Sequence, residues 1–184
     1  MVRKGDSTGM MSAGSVRDQA LMAREAARRL RNTSTLEKNA ALLAMADALE
    51  AQSDRILAAN REDVEAAKAK GISKALIDRL TLNQERLTAA AEGLREVAAL
   101  PDPVGVTVSM GRRPNGMEVG RVRVPLGVVA IIYEARPNVT VDAAGLCLKA
   151  GNAVILRGGS DAFRSNKAIV EAMESALRAT SLPE

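Results

Sequence analysis

Two short runs of the chain are apolar without alternation, Val128 to Ile132 and Ala153 to Leu156. A strand with one wet face alternates apolar and polar positions. A strand covered on both faces does not, so these runs predict parallel strands sandwiched by helices. The segment between them is long enough for one crossover helix, which completes a βαβ unit. Such units leave polar turns at the carboxyl ends of their strands, where α/β proteins bind ligands. Here those turns are Tyr133 to Asn138 and Arg157 to Asp161.

Ahead of this unit the apolar period is helical from Ser15 to about Gly71. Leu21, Ala27 and Leu30 form a first apolar stripe. Ser34 and Glu37 make a capping box for a second helix with Leu42, Leu43, Met45, Ala46 and Leu49 inward. Asn60 is the expected cap of a charged continuation that stops at Gly71. Ser73 to Leu80 reads as a short helix, and another runs from near Asn83 to before Pro101, with Leu87, Leu94 and Val97 inward. The texture then changes. Val104 to Arg112 and Met117 to Val124 carry strand residues, and Asn115-Gly116 between them predicts a hairpin with a type I′ turn. A lone two-stranded ribbon is marginal in water, so this one should pack against something, another subunit included. A last helix runs from Asp161 to about Thr180, and Met1 to Gly14, rich in Gly, Ser and Met, reads as a disordered tail.

Composition narrows the chemistry. The 184 residues fit one domain, or one with an appendage, and 47% of them are hydrophobic with almost no aromatics. There is no His, which removes Ser-His-Asp triads, Cys-His pairs and His-ligated metals. The single cysteine, Cys147, excludes an internal disulfide and fits a reducing compartment; flanked by Leu146 and Leu148 on the crossover helix, it reads as a small buried hydrophobe. No apolar run approaches the roughly 18 residues of a membrane span, and no signal peptide is evident, so the expected location is cytoplasmic. The formal charge of +4 is interspersed rather than striped, and stacking aromatics are missing, which argues against nucleic-acid binding.

The two turns carry the candidate chemistry. Arg157 supplies a cation suited to a phosphate or ribose hydroxyl, and Gly158, Gly159 and Ser160 let a ligand approach the backbone at the start of a helix. The plainer alternative is that the glycines turn the chain and Ser160 caps the helix. On the other turn Glu134 and Arg136 are placed to meet an acidic substrate, or to pair with each other, while Asn138 or Thr140 caps the crossover helix. Asp161 opposes a tightly held phosphate at its end of the second turn.

Pro125 to Thr140 and Ala150 to Asp161, together with Ala59 to Asp63 and Asp78 to Leu82, resemble the γ-glutamyl phosphate reductases, the proline-biosynthesis members of the aldehyde dehydrogenase superfamily. The run Tyr133-Glu134-Ala135-Arg136-Pro137-Asn138 is the most specific part. The resemblance implies an α/β, aldehyde-dehydrogenase-like fold with part of a Rossmann-type cofactor domain. Residues 15–100 would be its helical layer, 101–124 a hairpin like the oligomerisation arm, and 125–184 its βαβα segment. It implies NADP-dependent reduction of L-glutamyl 5-phosphate to L-glutamate 5-semialdehyde in a homo-oligomer. Arg157, Gly158, Gly159 and Ser160 would lie on the cofactor side, and Glu134, Arg136 and Asn138 toward the active site. Family members are roughly twice as long, with their nucleophilic cysteine in a separate catalytic domain beyond the position of Glu184. The expectation is therefore a chain inactive alone; the alternative is a non-catalytic nucleotide-binding or assembly fragment.

Overall fold

A computed structural model describes residues 15–180 and 182; the tail read at Met1 to Gly14 lies outside them. Five helices come first: α1 (Val16–Leu30), α2 (Thr35–Ala51), α3 (Ser53–Ala69), α4 (Lys74–Leu80) and α5 (Gln84–Ala99). Local sequence starts and stops several of them. The Ser34 hydroxyl accepts from the Glu37 N–H while the Glu37 carboxylate accepts from the Ser34 N–H and O–H, the expected capping box. Asn83 caps α5 by accepting from the Arg86 N–H at 2.7 Å. Gly71, with φ +72°, ends α3 as the Ile72 N–H reaches back to the Ala67 carbonyl.

Asn60 corrects the expectation made for it. The break between helices falls at Gln52, and Asn60 sits buried in the middle of α3. Its amide donates to the Leu80 carbonyl at 2.9 Å and accepts from the Leu82 N–H at 2.7 Å, fastening the α4–α5 link. Leu21 and Leu43, expected inward, are 51% and 44% exposed. The core collects Leu42, Met45 and Leu49 of α2 with Leu87 and Leu94 of α5 and Ile169 of the last helix.

Strands β1 (Thr107–Arg112) and β2 (Glu118–Val122) form the antiparallel hairpin, with every residue of both exposed. Its turn is not type I′. A type I′ turn centred on Asn115-Gly116 needs positive φ at both, and Asn115 does not take it. The chain instead makes an Arg113–Gly116 turn, with the Gly116 N–H donating to the Arg113 carbonyl at 2.9 Å, and Gly116 alone takes positive φ (+84°).

The βαβ unit follows: β3 (Val128–Ile132), α6 (Pro137–Lys149) and β4 (Ala153–Arg157), with β3 and β4 parallel and Val128 opposite Ala153. A tight helical turn at Ser160–Ala162 then leads into α7 (Phe163–Leu177). Against the expectation of strands covered on both faces, only Ala153 of these ten positions is buried, and Ile132 is 81% exposed. The reason is strand count: a two-stranded sheet consists of two edges, and α1 and α6 cover it only in part.

A buried charge cluster joins this unit to the helices. Lys38, 1% exposed, donates to the Asp102 carboxylate at 2.6 Å and to the Lys149 carbonyl at 3.1 Å. Lys149, also buried, donates to Asn39 Oδ1 and the Ala98 carbonyl. Asp102 further accepts from the Thr35 hydroxyl and the Val104 N–H. The ends of α5 and α6, the start of α2 and the root of the hairpin are thus held by one set of ionic hydrogen bonds. Burial pulls the Lys149 ammonium below its ordinary pKa, a pull that Asp102 partly counters.

Candidate functional site

The two turns meet at one end of the strand pair. The Tyr133 N–H donates to the Arg157 carbonyl at 3.1 Å and carries the ladder one step beyond the strands. Neither Gly158 nor Gly159 has positive φ. Their role is close approach. A Cβ on Gly159 would lie 2.9 Å from the Ala135 backbone nitrogen, and one on Gly158 would overlap the Asn166 amide and press on the Tyr133 ring. The glycines therefore let one turn lie directly on the other. Behind them the Tyr133 hydroxyl pairs with Thr140 at 2.7 Å, and Thr140 donates to Asn166 Oδ1 at 3.0 Å.

Gly159→Val is expected to force these turns apart, at a cost of about 1–3 kcal/mol for an overpacked contact. Thermal unfolding of the variant should show a lowered midpoint. An unchanged midpoint would mean that the contact is slack.

Ser160 is exposed and caps nothing; α7 begins at Phe163 without a side-chain cap of its own turn. One N–H of its first turn, that of Ser165, is already taken by a carboxylate. Asp63 of α3, 2% exposed, accepts from the Ser165 N–H at 2.8 Å and hydroxyl at 2.7 Å, and from Arg164 at 3.3 Å. A carboxylate already sits where an anion would be drawn by the helix dipole. The cation on this turn is Arg157, whose exposed guanidinium is hydrogen-bonded among the described residues only to the adjacent Gly158 carbonyl. Beside it a shallow groove between β4 and α7 is lined by Tyr133, Leu156, Phe163 and Val170 and by the polar Asn166, Lys167, Glu171 and Glu174.

On the first turn Glu134 and Arg136 pair at 3.6 Å, and Arg79 of α4 reaches the same carboxylate oxygen at 3.6 Å. Pro137 opens α6, so neither Asn138 nor Thr140 caps it. Asn138 Oδ1 is buried without a hydrogen-bond partner, the one such side-chain atom among the described residues. Cys147 is buried on α6 and burial pushes its thiol pKa up, the reverse of what a nucleophile needs. Among the described residues no helix is long and apolar enough to cross a membrane, and no three His, Cys, Asp or Glu side chains are grouped to hold a metal ion.

Sequence reading missed the polar seam of α3 that seats these turns. A signal was present: Asn60 and Asp63 fall on the apolar stripe running through Ile56 and Ala67, and a polar residue in such a stripe demands a buried partner.

Comparison with known proteins gives one consistent picture. The family model described as "Aldehyde dehydrogenase family" matches residues 7–184. A gamma-glutamyl phosphate reductase of Moorella thermoacetica is 62% identical over 169 residues, covering 92% of this chain and 40% of that protein. The crystal structure of the Thermotoga maritima gamma-glutamyl phosphate reductase superimposes with a TM-score of 0.89 at 46% identity, over 92% of this chain and 41% of that one. The Saccharomyces cerevisiae gamma-glutamyl phosphate reductase does so with a TM-score of 0.88 at 30% identity, over 92% and 44%. The chain thus spans about two fifths of the length of the proteins it matches.

Proposed function

Since the chain belongs to the aldehyde dehydrogenase family, we propose that it serves a γ-glutamyl phosphate reductase, holding the adenosine half of NADP while chemistry proceeds elsewhere. The reaction is the reduction of L-glutamyl 5-phosphate to L-glutamate 5-semialdehyde with loss of phosphate, a step of proline biosynthesis. The observation that carries this reading is the paired turns, with Arg157 exposed at the end of a parallel strand and a groove of mixed apolar and charged walls beside it.

The residues present fit a dinucleotide. Arg157 offers a fixed cation to a ribose phosphate. Gly158 and Gly159 keep the turn free of side chains and pressed against Ala135. Ser160 adds an exposed hydroxyl, and Leu156, Phe163 and Val170 offer apolar surface to a base. Bound there, the dinucleotide supplies the hydride. On the facing turn Glu134, Arg136 and Asn138 lie toward the substrate, where the orphaned Asn138 Oδ1 can accept one further hydrogen bond.

This chain's own share is binding and positioning. Covalent attack on an acyl phosphate needs an accessible thiolate, and the one cysteine, Cys147, is buried with its proton held more tightly than usual. The 184-residue chain is therefore expected to give no turnover in phosphate-dependent NADP reduction with glutamate 5-semialdehyde. Activity that disappears in Cys147→Ser would contradict that assignment.

A further inference from the structure

One carboxylate on the proposed cofactor turn opposes a phosphate. Asp161 follows Arg157 by four residues, and unpaired it would cancel the cation that the ligand needs. The structure gives it a partner from a distant part of the chain: Lys70 Nζ lies 2.8 Å from Asp161 Oδ1. This pairing is built by the fold. Lys70 is the last residue before the left-handed Gly71, and the next residue, Ile72, packs on a small core of Val64, Ala67, Leu80 and Ala162. Ala162 belongs to the same tight turn as Asp161, so the end of α3 and the cofactor turn share one core and the two charges are delivered together. The neighbouring acidic groups are matched separately. Asp63 and Glu62 pair with Arg164, and Glu134 with Arg79 and Arg136.

We propose that Lys70 is a positioning residue for cofactor selectivity: by neutralising Asp161 it leaves Arg157 as the net charge of the turn and favours a 2′-phosphorylated ribose over a plain one. The proposal rests on the reading that this turn holds the adenosine end of a nicotinamide dinucleotide. It adds a residue that touches neither the strand pair nor the glycine turn in sequence. The ion pair is partly exposed, 59% for Lys70 and 33% for Asp161, so its effect on overall stability is small. Its effect on a nearby dianion is direct, because removing Lys70 uncovers a negative charge on the same turn.

The test uses the 184-residue chain with two probes, adenosine 2′,5′-bisphosphate and 5′-AMP, titrated calorimetrically at low and high salt. Lys70→Ala is expected to weaken the bisphosphate about fivefold at low salt, less at high salt, and to leave AMP within about twofold. Lys70→Arg should keep the unmodified preference. Adding Asp161→Asn to Lys70→Ala should restore it, since no carboxylate then remains to be masked. An unchanged preference in Lys70→Ala, or equal losses for both nucleotides, overturns the proposal. So does failure of Asp161→Asn to restore binding, which would make Lys70 a direct ligand instead. If the unaltered chain binds neither nucleotide, the cofactor reading itself falls, a result distinct from any change caused by the substitutions.

Discussion

Asp102→Ala is expected to cost about 3–5 kcal/mol of folding free energy, the range for removing one partner of a buried ion pair. The residue itself is modest, at the hairpin root with its carboxyl 14% exposed. The cost comes from what it leaves behind. Lys38, 1% exposed, would keep only the Lys149 carbonyl as acceptor, and the Thr35 hydroxyl and Val104 N–H would lose theirs. A typical domain holds only about 5–15 kcal/mol in total, so the variant should melt far earlier in urea and lose order first where the hairpin joins the helices. Asp47→Ala is the matched control. Its carboxylate is 73% exposed on Arg95, which keeps Glu50 and Glu92, so the midpoint should not move.

The same cluster predicts a pH dependence of definite sign. Burial works to raise the Asp102 pKa, but hydrogen bonds from Lys38 and Thr35 outweigh it and hold the group below its ordinary 3.8. A carboxyl whose folded pKa is depressed adds stability above that ordinary value and loses it as pH falls through the folded one. The stability gap between the unaltered chain and Asp102→Asn should therefore be constant near neutrality and narrow below about pH 3.8. A gap that widened on acidification would show that Asp102 is not ionised in the fold.

Much of the architecture was legible because the elements obey local rules. The Ser34–Glu37 box, the Asn83 cap and the Gly71 stop each act within one helical turn, and sequence adjacency reveals them. The apolar runs at Val128 and Ala153 marked the strands correctly, though not how little of them two strands can bury. The partners of Asn60, Asp63 and Lys38 were not legible. Each satisfies groups brought near only by the tertiary fold: Leu80 and Leu82 for Asn60, Ser165 for Asp63, Asp102 and Lys149 for Lys38. At the turns, the residue types suggested a ligand site. What they could not announce was that Asn166 and Ala135 leave no room for a side chain at Gly158 and Gly159, or that α7 gives the Ser165 N–H of its first turn to Asp63. Under the proposed reading Arg157 thus bears more of the anion-binding role than the glycine turn alone suggested.

That shift sets the decisive experiment. The Arg157 side chain is exposed and makes its one hydrogen bond among the described residues to the neighbouring Gly158 carbonyl. Its removal should therefore leave the melting temperature unchanged while costing one charge-assisted contact to the ligand, about 1.5–3 kcal/mol or roughly 10- to 150-fold in affinity. The direct measurement is NADPH affinity for the unaltered chain and for Arg157→Ala, by fluorescence or calorimetric titration, with NADH alongside. The account predicts measurable NADPH binding that weakens at least tenfold in the variant, with NADH affected far less. Equal NADPH affinity in two equally stable proteins would contradict it and leave Arg157 a surface residue.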